Sequence, residues 1–300
     1  MPEKELLAGG FEEHRGRLRG VAYRLLGSMA EAEDAVQETW IRVSRADASE
    51  VDNLGGWLTT IVARVALNML RARNTRREEP YEGHLPNPVV ILDGELQPEE
   101  EALMADSVGL ALLVVLDSLG PAERLAFVLH DVFQLPFEEI APMVGRTPAA
   151  ARQLASRARR RVQGANVPTP DPDRARQRAV VDAFFTAARG GDLQTLLSLL
   201  DPQVVLRSDF GARHPDRSGV IRGAASVAAS SLSGAAIPGS RLIPALVNGA
   251  VGTVVVVGDR PFVVMGFVVE ASGKIVEIDA IADASRIRRI AAPVLERGGR

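Results

Sequence analysis

Residues 135–162 read "LPFEEIAPMVGRTPAAARQLASRARRRV". Phe137, Ile140, Ala141 and Val144 fall at i, i+3, i+4 and i+7, which predicts a short amphipathic helix. Gly145 closes it as a C-cap glycine would, and Thr147 with Pro148 offers an N-cap followed by a favoured first residue. The next helix turns Ala151, Leu154, Ala155, Ala158 and Val162 inward. Its outer face carries Arg152, Gln153, Ser156, Arg157, Arg159 and Arg160, with no acid between 146 and 161. Helix, glycine turn and capped helix make a helix-turn-helix, whose second helix lies in the major groove. Arginine can bond guanine and glutamine adenine in bidentate fashion, and the remaining arginines suit phosphates. A solvated basic helix in a plain bundle is the competing reading, and the capped turn and acid-free face favour DNA. Pro142 lies inside the first helix of the pair, where a lost hydrogen bond costs ~3 kcal/mol, so a kink or an early end is expected there.

Outward from this stretch, charge comes in blocks. The 300 residues have a formal net charge of −3, yet 64–77 hold Arg64, Arg71, Arg73, Arg76 and Arg77 without an acid. Residues 81–120 hold eight acids and neither lysine nor arginine. With 46% hydrophobic residues the chain can bury substantial cores, and with no cysteine it excludes disulfides, thiol catalysis and cysteine-ligated zinc. No cofactor or metal is expected, and no motif marks a catalytic residue. The first 30 residues lack a signal-peptide core, and no apolar run approaches the ~20 residues of a membrane span. A cytoplasmic location with no membrane partner is the expectation.

Three helices are expected at the start, over about 11–26, 30–46 and 54–73. The third sets Arg64, Asn68 and Arg71 on a stripe apart from its apolar side. Four prolines between 74 and 98 predict an extended linker. A helix over 99–118 and another from Pro121 then lead into the helix-turn-helix. After "GANVPTPDPD", helical residues 173–199 precede β-branched runs separated by glycine turns, the pattern of helices over a curved antiparallel sheet.

The segments "AEAEDAVQETWIRV", "GGWLTTIVARVALNMLRAR" and "LGPAERLAFVLHDVFQLPFEEIAPMVGRTPAAARQLASRARRRV" together resemble extracytoplasmic-function sigma factors, across roughly residues 11–163. More narrowly, the chain resembles the SigJ-like subfamily, which adds a C-terminal SnoaL-like domain. The resemblance implies a multi-domain chain: two all-α sigma domains, the second a helix-turn-helix, and an α+β SnoaL-like cone. The implied limits are sigma domain 2 at 1–77, a linker at 78–98, sigma domain 4 at 99–164, a second linker at 165–172 and a regulatory domain at 173–300. It implies binding to core RNA polymerase at the β′ clamp helices through Asp34, Gln37, Glu38 and Trp40, and at the β flap. It further implies −10 recognition by 47–53 with Arg64, Asn68, Arg71, Arg73, Arg76 and Arg77. For the −35 element it implies Thr147, Arg152, Gln153, Ser156, Arg157, Arg159 and Arg160. The linker would thread toward the RNA-exit region, where its acidity would suit channels meant for nucleic acid.

Three subfamily signatures are altered here. "YEGHLPNP" keeps Tyr81, Gly83, Leu85 and Pro86 but has His84 where tryptophan is expected. "SDFGARHP" keeps Asp209 and Gly211, and "DASRI", with Asp283 and Arg286, stands in for a different C-terminal motif. In the subfamily these elements tie the extra domain to sigma domain 2 and the linker, so their drift predicts that the contact is lost or remade in variant form. The fused domain would replace a dedicated anti-sigma factor. The cone would suit a small hydrophobic ligand, although 4% aromatic content promises little aromatic lining. Its candidate catalytic groups, Asp209, His214, Asp216 and Asp279, form no recognisable spacing, which favours a regulatory module over an enzyme. Two other readings stand beside promoter-directed initiation. One is a helix-turn-helix regulator without sigma activity, which would have no need of "AEDAVQETW". The other is a SnoaL-like enzyme fused to a DNA-binding module.

Overall fold

Leu18, Val21, Ala22 and Leu25 recur at helical spacing and are fully buried, as are Ala32, Ala35 and Val43, and Leu58 and Val62. These stripes draw three helices into one bundle: α1 (Pro2–Leu26), α2 (Met29–Val43) and α3 (Leu54–Thr75). The computed structural model describes residues 2–46, 51–75, 83–94, 109–235, 237–292 and 294–295. α1 begins earlier than the expected Phe11, running through Gly9–Gly10. A Cβ on Gly10 would lie 2.5 Å from Leu54 Cδ2, so this glycine lets the start of α3 approach closely. Asn53 caps α3 by accepting the Gly56 amide at 2.9 Å.

α4 (Leu110–Asp117), flanked by Gly109 and Ser118, is the described part of the helix expected over 99–118, and 99–108 lie outside the described residues. α5 (Pro121–Phe127) runs on into a π-type turn at Val128–Val132, and α6 (Phe137–Val144) and α7 (Pro148–Gly164) complete the domain. Gly145 adopts φ +68°, and Thr147 accepts the Ala150 amide at 3.3 Å, so both caps form. α6 does not end early at Pro142, which stays inside it. Both Pro142 and Glu138 are exposed, so water can satisfy the carbonyl that the proline leaves without a donor.

Residues Met1–Glu79 and Pro98–Val167 form one compact unit, in which α3 meets α5 and α6. Arg124 of α5 is buried there, donating to the Arg24 carbonyl at 3.3 Å and to Asp117 at 2.8 Å. Burial pushes its guanidinium below its ordinary value, and Asp117 opposes that shift. The Arg24 guanidinium in turn lies 4.9 Å over the Phe133 ring.

The second unit holds Pro80–Gln97 and Pro168–Arg300. Helices α8 (Arg174–Gly190), α9 (Leu193–Leu199) and α10 (Ala224–Ala235) accompany a seven-stranded sheet, followed by α11 (Ala284–Ile290). The strands are β1 (Val90–Leu92), β2 (Leu200–Asp209), β3 (Gly219–Arg222), β4 (Ser240–Val247), β5 (Ala250–Val257), β6 (Arg260–Val269) and β7 (Ile275–Ile281), in the order β1-β4-β5-β6-β7-β2-β3. The sheet is not wholly antiparallel, because β2 and β7 pair parallel with Leu206 opposite Ile278. Those two strands are joined through the rest of the sheet and not by a hairpin, which permits the parallel pairing. The expected 78–98 linker is also corrected. Its residues Val90–Leu92 form the edge strand, pairing antiparallel with Ala245–Val247. Valine, isoleucine and leucine there suit a strand, and an open edge on β4 supplies the partner.

Candidate nucleic-acid interface and linker latch

On α7, Ala151, Ala155 and Ala158 are buried while Arg152, Gln153, Ser156, Arg157 and Arg160 are exposed. Four arginines are positioned by neighbours. Arg152 lies 5.2 Å over the Phe137 ring, and Arg159 reaches Asp131 at 2.6 Å. Arg157 and Arg161 share Glu123 at 3.3 and 3.0 Å. Arg146 and Arg160 have no ion pair among the described residues. Thr147 spends its hydroxyl oxygen on the helix cap.

On α3, Arg64, Asn68 and Arg71 are exposed along one stripe. Arg73 departs from it. It pairs with Glu31 and donates to the Leu26 carbonyl at 3.1 Å, bracing the α1–α2 turn, because an arginine so placed finds an acceptor in an unsatisfied helix-end carbonyl. Arg76 and Arg77 lie outside the described residues, as do 47–50 of the expected −10 loop. On α2, Asp34 and Gln37 are exposed with Ile41, and Glu38 pairs with Arg42 at 2.8 Å. Trp40 is half-buried against Phe11, ring centroids 5.0 Å apart. A cleft of about 430 Å³ joins the two helical domains within the unit, lined by His14, Asp52–Gly56 and Thr59 on one side and Phe133–Pro136 on the other.

The altered signatures converge in the second unit. Asp209, fully buried, accepts the Leu85 amide at 2.8 Å and the Gly211 amide at 2.9 Å, pairs with Arg286, and has His84 Nδ1 at 3.4 Å. Arg286 also donates to Asn87 at 2.6 Å and to the Leu85 carbonyl. Asp283 caps α11 through the Ser285 and Arg286 amides. Its part burial works against ionisation, but those donors and the Ser285 hydroxyl hold its carboxyl below the usual range. Gly83 (φ +86°) and Gly211 (φ +86°) have no room for a side chain, since a Cβ would lie 2.4 Å from the Gly219 nitrogen and 1.8 Å from Asp283 Oδ2 respectively. Leu85 and Pro86 are buried, and Tyr81 lies outside the described residues. Within the second unit, then, Asp209 and Arg286 hold the linker residues Leu85 and Asn87.

A cavity of about 230 Å³ opens on the inner side of the sheet. Phe184, Phe185, Phe210 and Phe262 line it, so the low aromatic content is concentrated where it matters, against expectation. Asp209, His214, Asp216 and Asp279 do not line it. Strand alternation puts Asp279 on the opposite face, buried with Arg207 and Glu277. Burial first, and the Glu277 carboxylate next, push its carboxyl up to about 8.

Known proteins explain this arrangement. Residues 11–76 match the family model for Sigma-70 region 2, and 109–162 that for Sigma-70 region 4. The ECF RNA polymerase sigma factor SigJ of Mycobacterium tuberculosis is 41% identical over 249 residues, 81% of this chain and 78% of that protein. The chain belongs to the extracytoplasmic-function sigma factor family. The probable sigma factor SigI of the same species is 33% identical over 96% of this chain and 97% of its own. The crystal structure of M. tuberculosis SigJ superposes with a TM-score of 0.70 at 34% identity, covering 93% of this chain and 98% of that one. That coverage includes the C-terminal helices and sheet, so each of the two units has its counterpart there. As a sigma factor, the protein serves promoter-specific transcription initiation. No helix among the described residues is long and apolar enough to cross a membrane.

Several residues that hold this sigma factor's linker and helices in place carry no mark of that role in its sequence. Arg178 on α8 clamps the linker by pairing with Asp93 and donating to the Gly252 carbonyl at 2.9 Å. Asn248 accepts the Val89 amide at 2.7 Å and returns its own amide to the Val89 carbonyl at 2.9 Å. The Asn248–Gly249 pair, both at positive φ, was a readable hairpin signal between two strands. Nothing local marked Arg178 or Arg124.

Proposed function

We propose that the protein binds core RNA polymerase through the Asp34, Gln37 and Glu38 stripe of α2, with Trp40 shaping that helix from behind and the β flap receiving sigma domain 4. α7 then reads the −35 element, with Arg152, Gln153 and Ser156 toward base edges and Arg146, Arg157, Arg159 and Arg160 toward phosphates. Arg64, Asn68 and Arg71 serve the −10 element, while Arg73 acts as a brace. The observation that carries this reading is the exposed, acid-free outer face of a correctly capped second helix in a helix-turn-helix. The protein acts in the cytoplasm. Its C-terminal unit serves as a built-in regulator in place of a dedicated anti-sigma factor, and a cavity lined without carboxylate or imidazole supports regulation over catalysis.

The shared cleft between Asp52–Gly56 and Phe133–Pro136 supports a closed resting form that polymerase must open. Run-off transcription with purified core polymerase over genomic promoters, the protein's own included, tests the reading. Promoter-specific transcripts are expected, lost in Arg152→Ala. Failure of the full chain to bind core polymerase overturns it.

A further inference from the structure

The cavity of the C-terminal unit and the latch on its linker are two faces of the same strands. In β2 and the residue after it, Ser208 and Phe210 line the cavity, whereas Asp209 between them points the other way and takes the Leu85 amide and Arg286. In β7 and its exit, Ala280 and Ala282 line the cavity, and Asp283 next to them caps the helix that carries Arg286. The Ser208 carbonyl is also one of the atoms that leave Gly83 no room for a side chain. No residue intervenes between cavity wall and latch.

The cavity has a definite chemical character. Apart from Arg189, which is exposed and donates to Ser240, no ionisable side chain lines it. A cationic ligand would lose its hydration there without a partner, and an anionic one would meet only the solvent-exposed Arg189. Ser208 of β2 and Ser230 of α10 both line the space, and neither side chain has a hydrogen-bond partner among the described residues. About 230 Å³ lies below the roughly 300–1,000 Å³ of drug-sized ligand sites, so any occupant must be small.

We propose that this cavity binds a small, uncharged, largely apolar molecule bearing a hydroxyl, carbonyl or amine, and that occupancy tightens the latch on linker residues 83–94. The ligand's ring system packs among Phe184, Phe185, Phe210 and Phe262, and its polar group meets Ser208 or Ser230. An unfilled apolar cavity leaves its lining short of contacts, so an occupant supports β2 and β7 in the register that presents Asp209 and Asp283 to the linker. Ligand and latch are then linked, and each strengthens the other by the same factor. This rests on the reading of the C-terminal unit as a regulator, and gives that regulator its input.

The test uses the full chain and 1-aminoanthracene, an uncharged aromatic amine that fluoresces in apolar sites. Saturable enhancement is expected, weakened at least about tenfold by Ala280→Leu on β7 and by Ser230→Leu on α10, which fill the space from two different elements, so that one suffices if the other disturbs folding. Hydrogen exchange of the Leu85, Val89 and Asp93 amides should slow about 5-fold or more at saturation. Arg286→Ala or Asn87→Ala should weaken probe binding by a matching factor. Absent saturation, equal binding by both filled variants, or exchange in 83–94 that is unchanged or faster overturns the proposal. Neither readout involves polymerase or promoter. Lost transcription with intact coupling would defeat only the sigma-factor assignment of surfaces, and intact transcription without coupling only this inference.

Discussion

Arginine does opposite work in the two units. On α7 it stands in water, and its partners Glu123 and Asp131 hold it loosely enough for phosphate to compete. Exposed pairs of this kind are worth roughly 0–1 kcal/mol, which leaves the cations available. In the second unit Arg286 is largely withdrawn from solvent and faces a carboxylate with none of its surface exposed. There a pair specifies one arrangement of chain, since losing either member strands a buried charge. The helix face addresses an outside partner, and the latch addresses its own linker.

The sharpest way to break that contrast is Arg286→Ala. Removing one partner of a buried pair should cost about 3–5 kcal/mol in urea unfolding of the C-terminal unit and expose the Leu85 amide to exchange. Arg286→Lys should recover only part, because an ammonium cannot span Asp209, Asn87 and the Leu85 carbonyl together. Arg152→Ala should leave folding nearly untouched while weakening −35 binding by about 1–3 kcal/mol and relaxing preference at one base pair, measured by competition binding.

Asp279→Asn probes burial without a latch. Because the folded-state carboxyl is raised to about 8 from an ordinary value near 3.8, the native form binds the extra proton. Its contribution to stability is complete below about pH 4 and declines as pH rises through 8. Melting temperatures should therefore fall less between pH 5 and 9 in Asp279→Asn than in the parent chain. The smallest change belongs to the exposed face: Glu123→Gln should shift stability by less than about 1 kcal/mol and slightly strengthen DNA binding, by freeing Arg157 and Arg161.

How much of this was legible follows the same division. Caps, stripes and glycine turns are local, so the helix-turn-helix, the three-helix start and most strands could be read from Thr147, Gly145 or the β-branched run in 252–257. The elements of the latch were legible only through the family resemblance, and its pairings not at all, because they join residues far apart in sequence, such as Leu85 with Asp209 and Asn87 with Arg286. A strand of three residues like Val90–Leu92 exists only because β4 has an open edge to receive it. Arg73 looked like its neighbours on α3, and only the position of the Leu26 carbonyl turns it inward.

The docked linker also sets mechanical terms for promoter reading. Twelve residues, 83–94, lie on the chain path between the two sigma domains and are fastened by the latch and by β4. At roughly 3.3–3.6 Å per residue, they carry about 40 Å of contour that could otherwise coil or stretch. Fastened, that length becomes a fixed span, and only the residues on either side can adjust. Promoters differing in the spacing between their −10 and −35 elements would then be told apart by tether compliance, with the latch as its set screw.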